Sequence, residues 1–142
     1  MRKFSADSAY ILLKVGKDFL EAAKLVRKHG SKEPFWPVYS LGCQALELYL
    51  KAFLRAEGMS LKDLKRIGHD LQRALREANE TGFGKIVNFT KEDEQTIGIL
   101  APIYRNREFQ YKGTGKWTLC SIENLLSSMD RNYSALLARV VR

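Results

Sequence analysis

The stretch 38–57 constrains the fold more than any other part of the chain. Leu41, Ala45, Leu48, Tyr49, Ala52, Phe53 and Ala56 fall at offsets of 0, 4, 7, 8, 11, 12 and 15. That is the period of an amphipathic helix. Leu46, Leu50 and Leu54 add a second apolar row, and the polar side narrows to Gln44, Glu47, Lys51 and Arg55. A helix apolar over most of its girth is covered by protein on most sides. It therefore stands at the centre of a bundle, or shares one face with the core and another with a partner subunit.

The remaining segments supply helices to surround it. Ser5 can cap a first helix that runs to about His29 and Gly30, with Leu12, Val15, Phe19, Ala22 and Val26 on one face. Lys32–Pro37 reads as a connector, with two prolines around Phe35 and Trp36. Gly58 ends the second helix, and Ser60 with Asp63 resembles a capping box for a short turn before Gly68. A third helix starts near Asp70, carries Leu71, Leu75 and Ala78, and stops by Gly82 and Gly84. Thr90 and Asp93 form a second capping-box pattern, opening a fourth helix that Pro102 should kink or break. After a glycine-containing loop at 112–116, a last helix carries Ile122, Leu125, Leu126, Met129, Tyr133, Leu136, Leu137 and Val140. No segment alternates like a strand. The expectation is one all-α domain over residues 1–142, an up-and-down bundle of four to five helices.

Composition agrees. With 45% hydrophobic residues the chain can bury one core, and no linker or low-complexity run divides it. Cys43 and Cys120 are far apart and lack ligand neighbours, so they read as reduced, buried thiols and neither a disulfide scaffold nor a metal site is expected. No Walker loop, GxGxxG, HExxH or GxSxG occurs, which leaves no cofactor motif. No apolar run approaches the about 20 residues of a membrane span, and the N-terminus runs straight into an amphipathic pattern, so the expected location is the cytoplasm. The 24 Lys and Arg against 16 Asp and Glu give a net charge of +8, which favours polyanionic partners. The excess is spread over several segments, as broad positive faces rather than a basic tail.

Three places could carry chemistry. Tyr104, Arg105, Asn106, Arg107, Gln110, Tyr111 and Lys112 cluster just after Pro102. Guanidinium groups match phosphate and aromatic rings stack on exposed bases, so this composition suits single-stranded RNA or a nucleotide, although composition alone favours a solvated loop with snorkelling arginines. His69 stands in Gly68-His69-Asp70-Leu71, where Asp70 can cap the next helix and His69 can serve either packing or proton transfer. Glu47 and Lys51 are spaced for an intrahelical ion pair, costly if turned inward and merely the wet edge if turned outward.

Ala45-Leu46-Glu47-Leu48-Tyr49-Leu50-Lys51-Ala52, then Gly58, then Gly68-His69-Asp70-Leu71, resembles the HEPN (higher eukaryotes and prokaryotes nucleotide-binding) family. The family pattern is a helix with a Glu-x-x-x-Lys-Ala core and a His-Asp-Leu start to the next helix. Ala101-Pro102-Ile103-Tyr104-Arg105 before a long C-terminal helix is similar to its third landmark. The resemblance implies a dimeric helical bundle, often a metal-independent endoribonuclease of toxin or phage-defence systems. An Arg steadies the phosphate there, and a His a few residues on moves protons at the 2′-hydroxyl. This sequence departs from that pattern: beyond Arg105 the expected histidine slot holds Gln110, followed by Tyr111 and Lys112. Glutamine cannot exchange a proton near neutral pH, and tyrosine, with an ordinary pKa of about 10, is a poor base there.

Three functional expectations follow. The first is a homodimer that binds RNA or a nucleotide with Arg105, Tyr104, Asn106, Arg107 and Lys112 but carries a degenerate RNase motif. The second is an active endoribonuclease toxin with Arg105 as clamp and Gln110, Tyr111 or His69 in an altered role. The third is a non-catalytic partner of a nucleotidyltransferase antitoxin. Glu47, Lys51 and Asp70 are expected to support whichever site exists.

Overall fold

The structure is a computed structural model and describes residues 8–30, 36–107 and 121–142. Short polar caps set the helix starts. Ser8, Ser60, Asp70 and Thr90 each accept a hydrogen bond from the backbone N–H three residues on, satisfying a donor that the helix leaves orphaned. The helices they and their neighbours open are α1 (Ala9–His29), α2 (Trp36–Ala56), α3 (Leu61–Ile67), α4 (Leu71–Glu80), α5 (Lys91–Arg105) and α6 (Glu123–Val140). A 3-10 turn at Phe83–Lys85 links α4 to α5, and there is no strand among the described residues.

Three expectations about helix ends need correction. α1 starts under Ser8, and Ser5 lies outside the described residues. At Ser60 only half of a capping box forms, since Asp63 turns to Arg66 at 3.4 Å, whereas Thr90 and Asp93 make both bonds. Pro102 does not break α5, which continues to Arg105. The missing N–H removes one bond near the end of the helix, and the Asn106 N–H closes the last turn on the Pro102 carbonyl at 3.1 Å.

α2 is the axis of the molecule. Leu46, Leu50 and Leu54 are buried together with Ala45, Tyr49, Ala52 and Phe53, with α1, α4, α5 and α6 packed around them, while Leu41 and Leu48 are partly buried and Ala56 is exposed. α2 therefore stands at the centre of the bundle. Cys43 lies buried on the same helix, and Cys120 is outside the described residues. No described helix is long and apolar enough to cross a membrane.

Two glycines allow the close packing. A Cβ at Gly16 of α1 would stand 3.0 Å from Leu48 Cβ and 2.9 Å from Tyr49 Cδ1 of α2. A Cβ at Gly42 of α2 would stand 2.8 Å from Ile122 Cδ1. Polar ties join α6 to its neighbours: Lys17 and Lys24 of α1 reach Asp130 at 3.0 and 3.2 Å, Arg27 pairs with Glu123, and Ser128 donates to the buried Asp93 at 2.6 Å.

Gly16→Ala is expected to destabilise the fold by about 1 kcal/mol or more in urea unfolding, because overpacking costs roughly 1–3 kcal/mol against about 1 kcal/mol of helix propensity gained. A midpoint equal to or above wild type would refute the close approach of α1 and α2. The hydrogen bond from Lys17 holds the Asp130 carboxyl below its ordinary 3.8. An aspartate more acidic when folded stabilises the protein above its unfolded pKa and loses that contribution as pH falls through the folded value. With Asp130 two-fifths exposed, this solvent-screened effect is at most about 1 kcal/mol. Asp130→Asn should flatten the fall in stability below pH 3.8, as followed by urea unfolding across pH.

Candidate functional site

Glu47 lies on the narrow polar row of α2, and the packing of α4 and α5 around that helix leaves it buried. A buried carboxylate is costly unless donors satisfy it. Three do. Lys51 Nζ donates to Oε2 at 3.1 Å, the Tyr104 hydroxyl donates to Oε1 at 2.8 Å, and His69 Nδ1 meets the same Oε1 at 2.7 Å. Glu47 and Lys51 thus face inward as an ion pair.

That geometry dictates the histidine's proton. A carboxylate only accepts, so His69 presents Nδ1–H to it, and in the neutral ring Nε2 then carries the lone pair. The imidazole is half exposed at 49%, whereas its anchor Glu47 is 11% exposed. Tyr104 steadies the ring from the side, edge to face at 5.7 Å and 76°. Burial, the Glu47 charge and the hydrogen bond to it push the Tyr104 phenol well above its ordinary 10.0. Tyr104 is a standing donor, not a base.

The backbone brings Arg105 to the same end of the bundle. Gly68 adopts φ +59°, a region open to glycine, and turns the chain so that His69 precedes the α4 cap. Asp70 caps α4 with one oxygen, accepting from the Arg73 N–H at 3.1 Å, and its other oxygen stands 3.5 Å from Arg105 Nη1. Arg105 is two-thirds exposed. Arg107 follows at φ +58°, a helix-ending position that glycine ordinarily fills, so a bulky cation is held there at a conformational cost. A cleft of about 460 Å³ opens beside them, lined by Asp70, Gln72, Ala101, Pro102, Arg105 and Asn106.

Six residues singled out in the sequence therefore converge: Glu47, Lys51, His69, Asp70, Tyr104 and Arg105. Asn106 and Arg107 are exposed next to them. Gln110, Tyr111 and Lys112 lie outside the described residues. Sequence reasoning placed Tyr104 among the groups that would touch RNA, but its hydroxyl is committed to Glu47. The signal was its place in the apolar row of Ile97, Leu100 and Ala101, which turns it inward. Reasoning from the sequence also left His69 without a partner, because Glu47 is 22 residues away. The chain matches no family model, no curated protein and no solved structure in comparisons of sequence and fold.

Two outcomes test the network. Imidazole ¹⁵N–¹H correlation spectra should show His69 in the Nδ1–H tautomer, and Glu47→Gln should mix the tautomers; an Nε2–H ring in the wild type would refute the anchoring. Glu47→Ala leaves Lys51 charged and nearly buried, and should cost roughly 3 kcal/mol of stability in denaturant unfolding.

Proposed function

We propose that this chain is a HEPN-type domain that binds RNA or a nucleotide phosphate, as a homodimer, at the end of the bundle where His69 and Arg105 meet. The observation that carries the reading is the convergence of Glu47, Lys51, His69, Asp70 and Arg105. These residues belong to three motifs separated in sequence, and each motif on its own is weak. A phosphate would displace the weak Asp70 contact on Arg105 and take a two-pronged contact from the guanidinium. Arg107 extends the positive surface, and the net charge of +8 favours the approach of a polyanion. In the setting that the HEPN resemblance implies, such a domain works in a toxin–antitoxin or defence system.

One observation favours a second reading, that of a metal-independent endoribonuclease. His69, held in one tautomer by a buried carboxylate, offers Nε2 as an acceptor, the arrangement a general base requires. It would take the proton of a 2′-hydroxyl. The oxygen would attack the neighbouring phosphorus, Arg105 would steady the charge on the phosphate, and the 5′ oxygen would leave with a proton from water. His69 then does the work that Gln110 cannot.

The test is binding and cleavage of a labelled single-stranded RNA in the presence of chelator. Binding that weakens steeply as salt rises, and falls about tenfold in Arg105→Ala, supports the site. Cleavage that drops by roughly 10²–10⁴ in His69→Ala while binding persists establishes the second reading. RNA neither bound nor cut by the wild type would sink both. Light scattering at micromolar concentration should give twice the chain mass; a monomer would remove the dimer from the proposal.

A further inference from the structure

The cleft at Arg105 does not end there. A second, larger one of about 800 Å³ runs on between α4 and α5, and Gln72 lines both. Gly98 occupies the row of α5 between their linings, one turn from Gln95 and one from Pro102. A Cβ at Gly98 would stand 3.0 Å from Gln72 Nε2, so glycine leaves room for that amide at the waist between the two clefts. Four residues on, Pro102 has no N–H, which deprives the Gly98 carbonyl of its helical donor. The waist therefore has an amide on one wall and a carbonyl without its helical bond on the other.

Charge decides what could lie along this groove. Arg76 and Lys91 are balanced by Glu80 and Glu94, so the floor has no net charge and gives phosphates no continuous hold. What it offers is the amides of Gln72, Asn79 and Gln95 beside the apolar side chains of Leu75, Ala101 and Pro102. Amide donors and acceptors beside apolar side chains suit the edges of unstacked bases. Asn and Gln amides pair two-pronged with adenine through its N6 and N7. The 10 residues of α4 make the groove about 15 Å long. That is room for about four nucleotides at the stacked spacing of roughly 3.4 Å, and for fewer when the bases are splayed out.

We infer that the α4–α5 groove carries a single strand of RNA away from the His69–Arg105 end, with bases on its floor and adenine preferred over uracil. This rests on the reading of that end as a phosphate site, and the experiment separates the two. Fluorescence anisotropy would follow a short oligo(A), a matching oligo(U) and 5′-AMP on the full chain. Wild type should bind oligo(A) about tenfold more tightly than oligo(U). Gly98→Leu fills the waist, and the exposed pair Asn79→Asp with Gln95→Glu puts carboxylates where the bases would lie. Each should lower oligo(A) affinity about tenfold and leave 5′-AMP binding unchanged. The exposed double variant keeps the test sound if Gly98→Leu unfolds, as thermal melting would reveal. Equal oligo(A) affinity in the wild type and the double variant would overturn the groove while leaving the Arg105 site intact. So would groove variants that lose self-association and keep RNA. Wild type that binds neither 5′-AMP nor oligo(A) would overturn both.

Discussion

A carboxylate removed from water organises this molecule. Glu47 sits on the most buried helix, where an unsatisfied charge would be intolerable, so the surrounding elements must bring donors to it. They arrive from three directions: one turn along α2, from the junction between α3 and α4, and from the last turn of α5. Satisfying one buried group thus fixes the relative positions of three segments. A hydrophobic core alone fixes spacing but tolerates sliding. The hydrogen bonds add the register.

The same constraint explains why a half-exposed histidine is well oriented. Imidazoles at helix junctions generally rotate and exchange tautomers, with nothing to choose between their nitrogens. Here one nitrogen is committed to an acceptor that is itself immobilised by Lys51 and Tyr104. Orientation is inherited from the core, and exposure comes from the loop. That combination leaves the Nε2 of a fixed ring open to solvent, and the next residue, Asp70, meets Arg105 at 3.5 Å.

Much of this was legible in the sequence. The apolar rows of α2 and α6, the Thr90 cap and the end of α1 at His29 follow from local periodicity and capping chemistry, which act over a turn or two. The residues that gather at this end of the bundle were legible as well, since Glu47, His69, Asp70 and Arg105 all stand out by type. What the pattern could not show was the contacts between them. Whether Glu47 turned inward depended on how α4 and α5 pack, a matter of tertiary geometry that spacing along one helix does not encode. Tyr104 shows the limit well: the same side chain reads as a stacking ring by composition and as a core residue by periodicity, and only the location of Glu47 decides. Whether Pro102 would kink or break α5 stayed open in the sequence because a proline's cost depends on how many backbone bonds lie beyond it.

That proline has a further consequence. Residues 103–106 are joined to the body of α5 through a ladder with one rung missing, and side chains that secure them laterally include the buried Ile103, Tyr104 on Glu47 and Arg105 on Asp70. With the fewest backbone bonds to lose, that turn forms a unit expected to open before the helix ahead of it. Arg105 belongs to that unit, and one clasp that shuts it is the carboxylate that orients His69. Opening of that turn would take Arg105 and the Tyr104 donor from this end of the bundle and leave His69 on Glu47, which Lys51 still holds.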